Sequence, residues 1–70
     1  MIPITEALIQ DFATAMYEKL LAKRSQKGDT WADDDWESEW RQALHEHFIK
    51  GDLVDIANYC AFGHYHGWSL

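Results

Sequence analysis

The stretch Leu44-His45-Glu46-His47-Phe48-Ile49-Lys50-Gly51-Asp52-Leu53-Val54-Asp55-Ile56-Ala57-Asn58-Tyr59 decides the fold. Glycine is the residue that most easily takes the left-handed conformation that closes a helix, and aspartate is a strong helix opener. Gly51-Asp52 therefore reads as a joint between two helices with almost no loop. Upstream, Trp36, Trp40, Leu44 and Phe48 recur every four residues, with Ala43 beside them. That is the apolar stripe of a helix running from Asp34 or Asp35 to Lys50, its acidic start complementing the helix dipole. Downstream, Leu53 to about His64 forms a third helix. Ile56, Cys60 and Gly63 lie on one line of it, and Leu53, Ala57 and Ala61 on the next. Its small residues allow another helix to approach closely, and its periodicity places Cys60 inside. Trp68, beyond Gly67, is expected to fold back onto the bundle.

Before this pair, Thr5 to Gln26 forms the first helix, with Thr5 as its cap and Glu6 in its first turn. Leu8, Phe12, Met16 and Leu20 repeat at four-residue spacing, widened by Ile9, Ala13 and Leu21. At 1.5 Å per residue this helix is about 33 Å long. The only plain break in the chain is Lys27-Gly28-Asp29-Thr30, and no run alternates as a strand would. The fold class is all-α: a helical hairpin plus a short third helix in a single domain over residues 1–70.

Seventy residues hide only about 60% of their unfolded surface, which leaves a thin stability margin. Small domains offset this with disulfides, metals or association. One cysteine excludes an internal disulfide, so association with its own copies into an oligomeric bundle is expected. The lone cysteine and the absence of a leader-like start point to a cytoplasmic protein. No apolar stretch approaches the roughly 20 residues needed to span a bilayer. The net charge is −6, with Asp29, Asp33, Asp34, Asp35, Glu37 and Glu39 in one block. Nucleic-acid polymers and anionic membranes are thus excluded as partners, whereas a local basic patch still suits a small anion. The aromatic fraction of 14%, including four tryptophans, exceeds what one small core absorbs. The surplus suits an interface or a stacking site. Trp36 and Trp40 read as core or interface.

The basic patch is Lys19, Lys23 and Lys27 at i, i+4 and i+8, with Arg24 beside them. One reading is a solvated helix end that complements the dipole; the other is a phosphate cradle. Trp31 follows directly, and an aromatic plane beside cations suits a nucleotide, with Tyr17 and Arg41 as further candidates. His45 and His47, like His64 and His66, are two apart and face different sides of a helix, which is poor zinc spacing. Ser25, Ser38, Ser69 and Cys60 sit in no nucleophile setting.

Asp55-Ile56-Ala57-Asn58-Tyr59 resembles the Asp-Val-Ala-Asn-Phe-like run of the MazG-like all-α nucleoside triphosphate pyrophosphohydrolases. Asp52-Leu53-Val54-Asp55 looks like a shortened ExxD motif of that family. Lys27-Gly28-Asp29-Thr30-Trp31 is similar to a Lys-Gly-Gly-Trp turn of short phage-encoded members. The resemblance covers residues 16 to 66 loosely and is specific over 44 to 59. It implies Mg²⁺ chemistry at Glu46, Asp52 and Asp55, and a nucleotide pocket that includes Asn58. Mg²⁺ needs several convergent hard oxygens. Here the set is one acid short, His47 stands where an acid would help, and only five residues separate Glu46 from Asp52. For Asp52 the stronger reading is the cap of its helix. The resemblance therefore favours a short phage-type oligomer that binds a nucleotide without turnover and without a cofactor. Such a protein would act as a sponge for immune signals in the bacterial cytosol. The alternatives are a minimal Mg²⁺-dependent pyrophosphohydrolase, and an acidic inhibitor whose Asp29–Glu39 face occupies a basic protein surface.

Overall fold

The computed structural model describes residues 4–28 and 30–70, with side chains for all of these except Gln26 and Lys27. Its order is α1 (Ile4–Lys27), a 3₁₀ turn (Thr30–Ala32), α2 (Glu37–Lys50) and α3 (Leu53–His66). Among the described residues there is no strand, and no helix is long and apolar enough to cross a membrane.

The joint that decides the fold is built as its residue types dictate. Gly51 takes φ 80°, and its N–H donates to the carbonyls of His47 and Phe48 at 3.0 and 3.2 Å. Asp52 then caps α3, its Oδ1 accepting from the Asp55 N–H at 3.0 Å. The far end of α3 closes the same way. Gly67 takes φ 76°, its N–H donates to His64, and the Trp68 N–H donates to the Gly63 carbonyl at 2.9 Å. This paired-bond helix stop turns the chain back on itself. It brings the Trp68 ring 5.7 Å from Trp36 and 5.4 Å from Trp40, as the sequence led one to expect.

Two helix starts differ from the expected ones. Thr5 is inside α1, which already includes Ile4. α2 begins at Glu37 rather than at the aspartates, and its cap position is Trp36, without a side-chain cap bond. Trp36 is held by other means. Its Nε1–H donates to the Trp31 carbonyl at 3.3 Å, and its ring packs on Tyr59, Phe62 and Trp68. Aromatic burial there outweighs the bond an aspartate cap would supply.

α3 is the common element: α2 packs on it, α1 packs on it, and so does the 3₁₀ turn. The buried core is Trp40, Leu44 and Phe62, surrounded by half-buried Leu20, Trp31, Trp36, Ile56, Tyr59 and Trp68. Trp40 lies flat against the backbone of α3 because Gly63 has no side chain. A Cβ there would stand 2.2 Å from Trp40 Cζ2. The same approach lets Trp40 Nε1–H donate to the Tyr59 carbonyl at 2.7 Å.

The apolar stripes are only partly used. Met16 and Leu20 of α1 are half-buried, but Leu8 and Ile9 are 64% and 61% exposed. Phe48, expected on the buried stripe of α2, is 69% exposed, and Cys60, expected inside, is exposed. The reason is the same for both. α1 packs on α3, and among the described residues the face of the α2–α3 pair where Phe48 and Cys60 stand is left open.

Candidate functional site

The cleft of most interest lies between the second half of α1, the 3₁₀ turn and α3, with a volume near 340 Å³. Lys23, Trp31, Trp36, Asn58, Tyr59 and Phe62 contribute to its walls, with Asp33 at its edge. The turn after Gly28 (φ 68°) places Trp31 over α3. There its ring lies nearly parallel to Phe62, 5.6 Å away at 11°, with the edge of Tyr65 at 5.2 Å. His66 ties this turn down. Its Nε2 lies 2.7 Å from the Trp31 carbonyl, its Nδ1 lies 3.2 Å from Asp34, and its ring stacks on Trp68 at 4.1 Å.

Below the cleft is a charge network. Lys19 Nζ sits 2.6 Å from Asp52 and 3.2 Å from Asp55, and Lys23 Nζ sits 3.3 Å from Asp55. His47 Nδ1 is 3.7 Å from the same Asp55 carboxylate. The hydrogen bond from Lys19, then that from the Asp55 N–H, holds the Asp52 carboxyl below its ordinary value. The bond to Asp52 raises the Lys19 ammonium above its own, against the pull of desolvation. Burial, then the nearby Asp55 and Glu46 charges, raises the Tyr59 phenol above 10.0. Asn58, buried at 3% exposure, donates from Nδ2 to the Met16 carbonyl at 3.3 Å, and its Oδ1 has no partner among the described residues.

The signs of these shifts make a direct prediction. Asp52 is depressed, so its contribution is present above its unfolded pKa near 3.8 and is lost as pH falls through the lower folded value. Lys19 is raised, so its contribution is present below 10.5 and is lost as pH rises beyond it. Asparagine keeps the cap but not the ion pair; alanine keeps neither. Thermal melts at pH 7 are therefore expected in the order wild type, Asp52→Asn, Asp52→Ala. The gap between wild type and Asp52→Asn should close well below pH 3.8. A gap that does not narrow as pH falls below 3.8 would contradict the ion pair as its source.

Of the residues read from the sequence as nucleotide contacts, the structure brings Lys23, Trp31 and Asn58 to the cleft, with Lys19 one ion pair behind them. Tyr17 is largely exposed on α1 and Arg24 is exposed beside Lys23; neither lines the cleft. The Lys27 side chain lies outside the described residues. Arg41 is elsewhere: it pairs with Glu37 at 2.6 Å, donates to the Ser69 carbonyl at 2.8 Å and lies over Trp40. Of the residues read as metal ligands, Asp52 and Asp55 come together, but on two lysines. Glu46 faces Gln42 across 3.5 Å, and no group of three or more acidic, histidine or cysteine side chains is placed to hold a metal among the described residues.

Sequence reasoning missed Tyr59, Phe62 and His66 as site-building residues. Their signal was present: they stand at i, i+3 and i+7 on α3, an aromatic face beside Asn58. No protein-family model, no curated protein and no solved structure matches this chain.

Proposed function

We propose that this chain is a non-catalytic binding protein for a small nucleotide, working as an oligomer of its own copies and serving to sequester a nucleotide signal. The observation that carries this reading is the cleft. Its volume near 340 Å³ is in the range of small-molecule sites, roughly 300–1,000 Å³. It joins a flat indole at Trp31 to a half-exposed ammonium at Lys23 and a buried, half-satisfied amide at Asn58. An aromatic plane takes a base by stacking, and a lysine takes a phosphate oxygen as a point charge.

The carboxylate pair speaks against turnover through Mg²⁺. Asp52 and Asp55 spend their charge on Lys19 and Lys23, and a divalent ion would have to displace both ammonium groups. The residues present therefore do not fit a magnesium site.

The test is retention. Purified protein, incubated with a panel of linear and cyclic nucleotides, is passed over a desalting column, heated, and the supernatant chromatographed. Stoichiometric release of one unaltered nucleotide, with quenching of tryptophan fluorescence on binding, is expected. A cleaved product would favour the enzyme reading, and no retention of any member would sink the proposal.

A further inference from the structure

Among the described residues, the first half of α1 is left uncovered. Every residue from Ile4 to Thr14 is exposed, yet Ile4, Leu8 and Phe12 are spaced at i, i+4 and i+8, with Ile9 beside them. That is the stripe of a helix meant to be covered. Between α2 and α3 lies a groove with a volume near 470 Å³, walled by Leu44, Phe48, Ile56, Cys60 and Leu70. It is open among the described residues.

The amount of uncovered surface indicates what covers it. A monomeric globule of this mass exposes about 4,500 Å², whereas this chain exposes 5516 Å². The excess, about 1,000 Å², is close to the roughly 800 Å² that each partner contributes to a stable interface. Its radius of gyration is 13.3 Å, and its extents are 45 × 28 × 24 Å. A globule of this length has a radius near 11 Å. Charge selects the pairing. The exposed half of α1 carries Glu6 and Asp11 and no lysine or arginine. Two such segments laid side by side repel. The groove walls include Arg41, whose guanidinium also pairs with Glu37, and His45, and no acidic side chain.

We infer that Ile4, Leu8 and Phe12 of one copy seat in the α2–α3 groove of a second copy, which returns its own α1 into the first. Because the exchange is reciprocal, the proposed contact closes as a two-fold dimer with each ridge-in-groove contact made twice. The mode is a helix laid in a groove and anchored every four residues. This rests on the oligomeric part of the reading above and is independent of what the cleft binds.

Cys60 supplies the test, because it is exposed and forms part of the groove wall. Leu8→Cys and, as a second position, Phe12→Cys are oxidised mildly at low protein concentration and run on non-reducing gels. Disulfides form only where Cα atoms approach within about 7 Å. A covalent dimer is expected from at least one of the two variants, and it should vanish when Cys60→Ser is added. Sedimentation of the wild type is expected to give a dimer, and Leu8→Glu should give a monomer of unchanged helical circular dichroism. A wild type that sediments as a monomer at every concentration overturns the oligomeric reading, and this interface with it. A dimer whose cross-link survives Cys60→Ser, or that cross-links at neither position, overturns this interface and leaves the oligomer standing.

Discussion

Gly63→Ala is expected to lower the melting temperature by about 15 °C, corresponding to a loss of about 3 kcal/mol. The new Cβ would stand 2.2 Å from Trp40 Cζ2 and 2.8 Å from Cη2. Neither party can give way cheaply. Trp40 is the most buried large side chain, and its Nε1–H is committed to the Tyr59 carbonyl at 2.7 Å. Gly63 lies near the C-terminal end of α3, the helix on which everything else packs. A small domain holds only a few kcal/mol in reserve, so much of the variant should be unfolded at 37 °C. Two controls separate this clash from loss of glycine in general. Gly67→Ala meets no atom within 4 Å but has φ 76°, so it should cost only about 1 kcal/mol of backbone strain. Trp40→Phe removes the ring atoms that Gly63→Ala would strike, so the double variant should be less damaged than the two single losses added together. Circular-dichroism melts of the four proteins measure all of this. Strict additivity would contradict the steric account.

Trp31→Ala is expected to weaken ligand binding in the cleft by about 5- to 150-fold, since stacking of a base on an aromatic ring is worth about 1–3 kcal/mol. The substitution removes the stack on Phe62 and the edge contact from Tyr65, and opens the cleft to water. Trp31→Phe keeps a flat face in the same place and should recover most of the affinity. The fold should survive, because Trp31 is half-buried at the rim and the buried core lies beneath it. The informative measurement is calorimetric titration of whichever nucleotide the retention test identifies, alongside a melt of each variant. An affinity unchanged in Trp31→Ala would move the site out of this cleft.

The helices were legible because their punctuation is local. Gly51 and Asp52 set their own conformations whatever lies around them, and the stripes at four-residue spacing follow from helix geometry alone. The start of α2 was not legible. Three aspartates are good openers, but Trp36 is pulled between Tyr59 and Trp68, residues more than twenty positions away. The burial of Phe48 and Cys60 was misjudged for a related reason. Periodicity tells which residues share a face, and only the packing of α1 decides whether that face is covered. In the site, Lys23 and Trp31 were candidates from type and spacing and Asn58 from the family resemblance alone, and the structure places all three at one cleft. That the lysines turn toward Asp52 and Asp55 was not, because the pairing spans 32 and 33 positions. Capping by Asp52 was one of two readings of the same residue, and the structure shows that it caps and pairs at once.

The central place of α3 has one more consequence. α1 is fastened to it by Met16, Leu20 and two lysines, and one wall of the cleft is that same stretch of α1. The pocket therefore exists only while α1 is docked. Any molecule held there binds the docked arrangement and not the undocked one, so by mass action it must tighten the helix onto its neighbour. Occupancy of the cleft and closure of the three-helix assembly are a single coupled equilibrium, and whatever fraction of the free chain has α1 undocked lowers the apparent affinity in proportion.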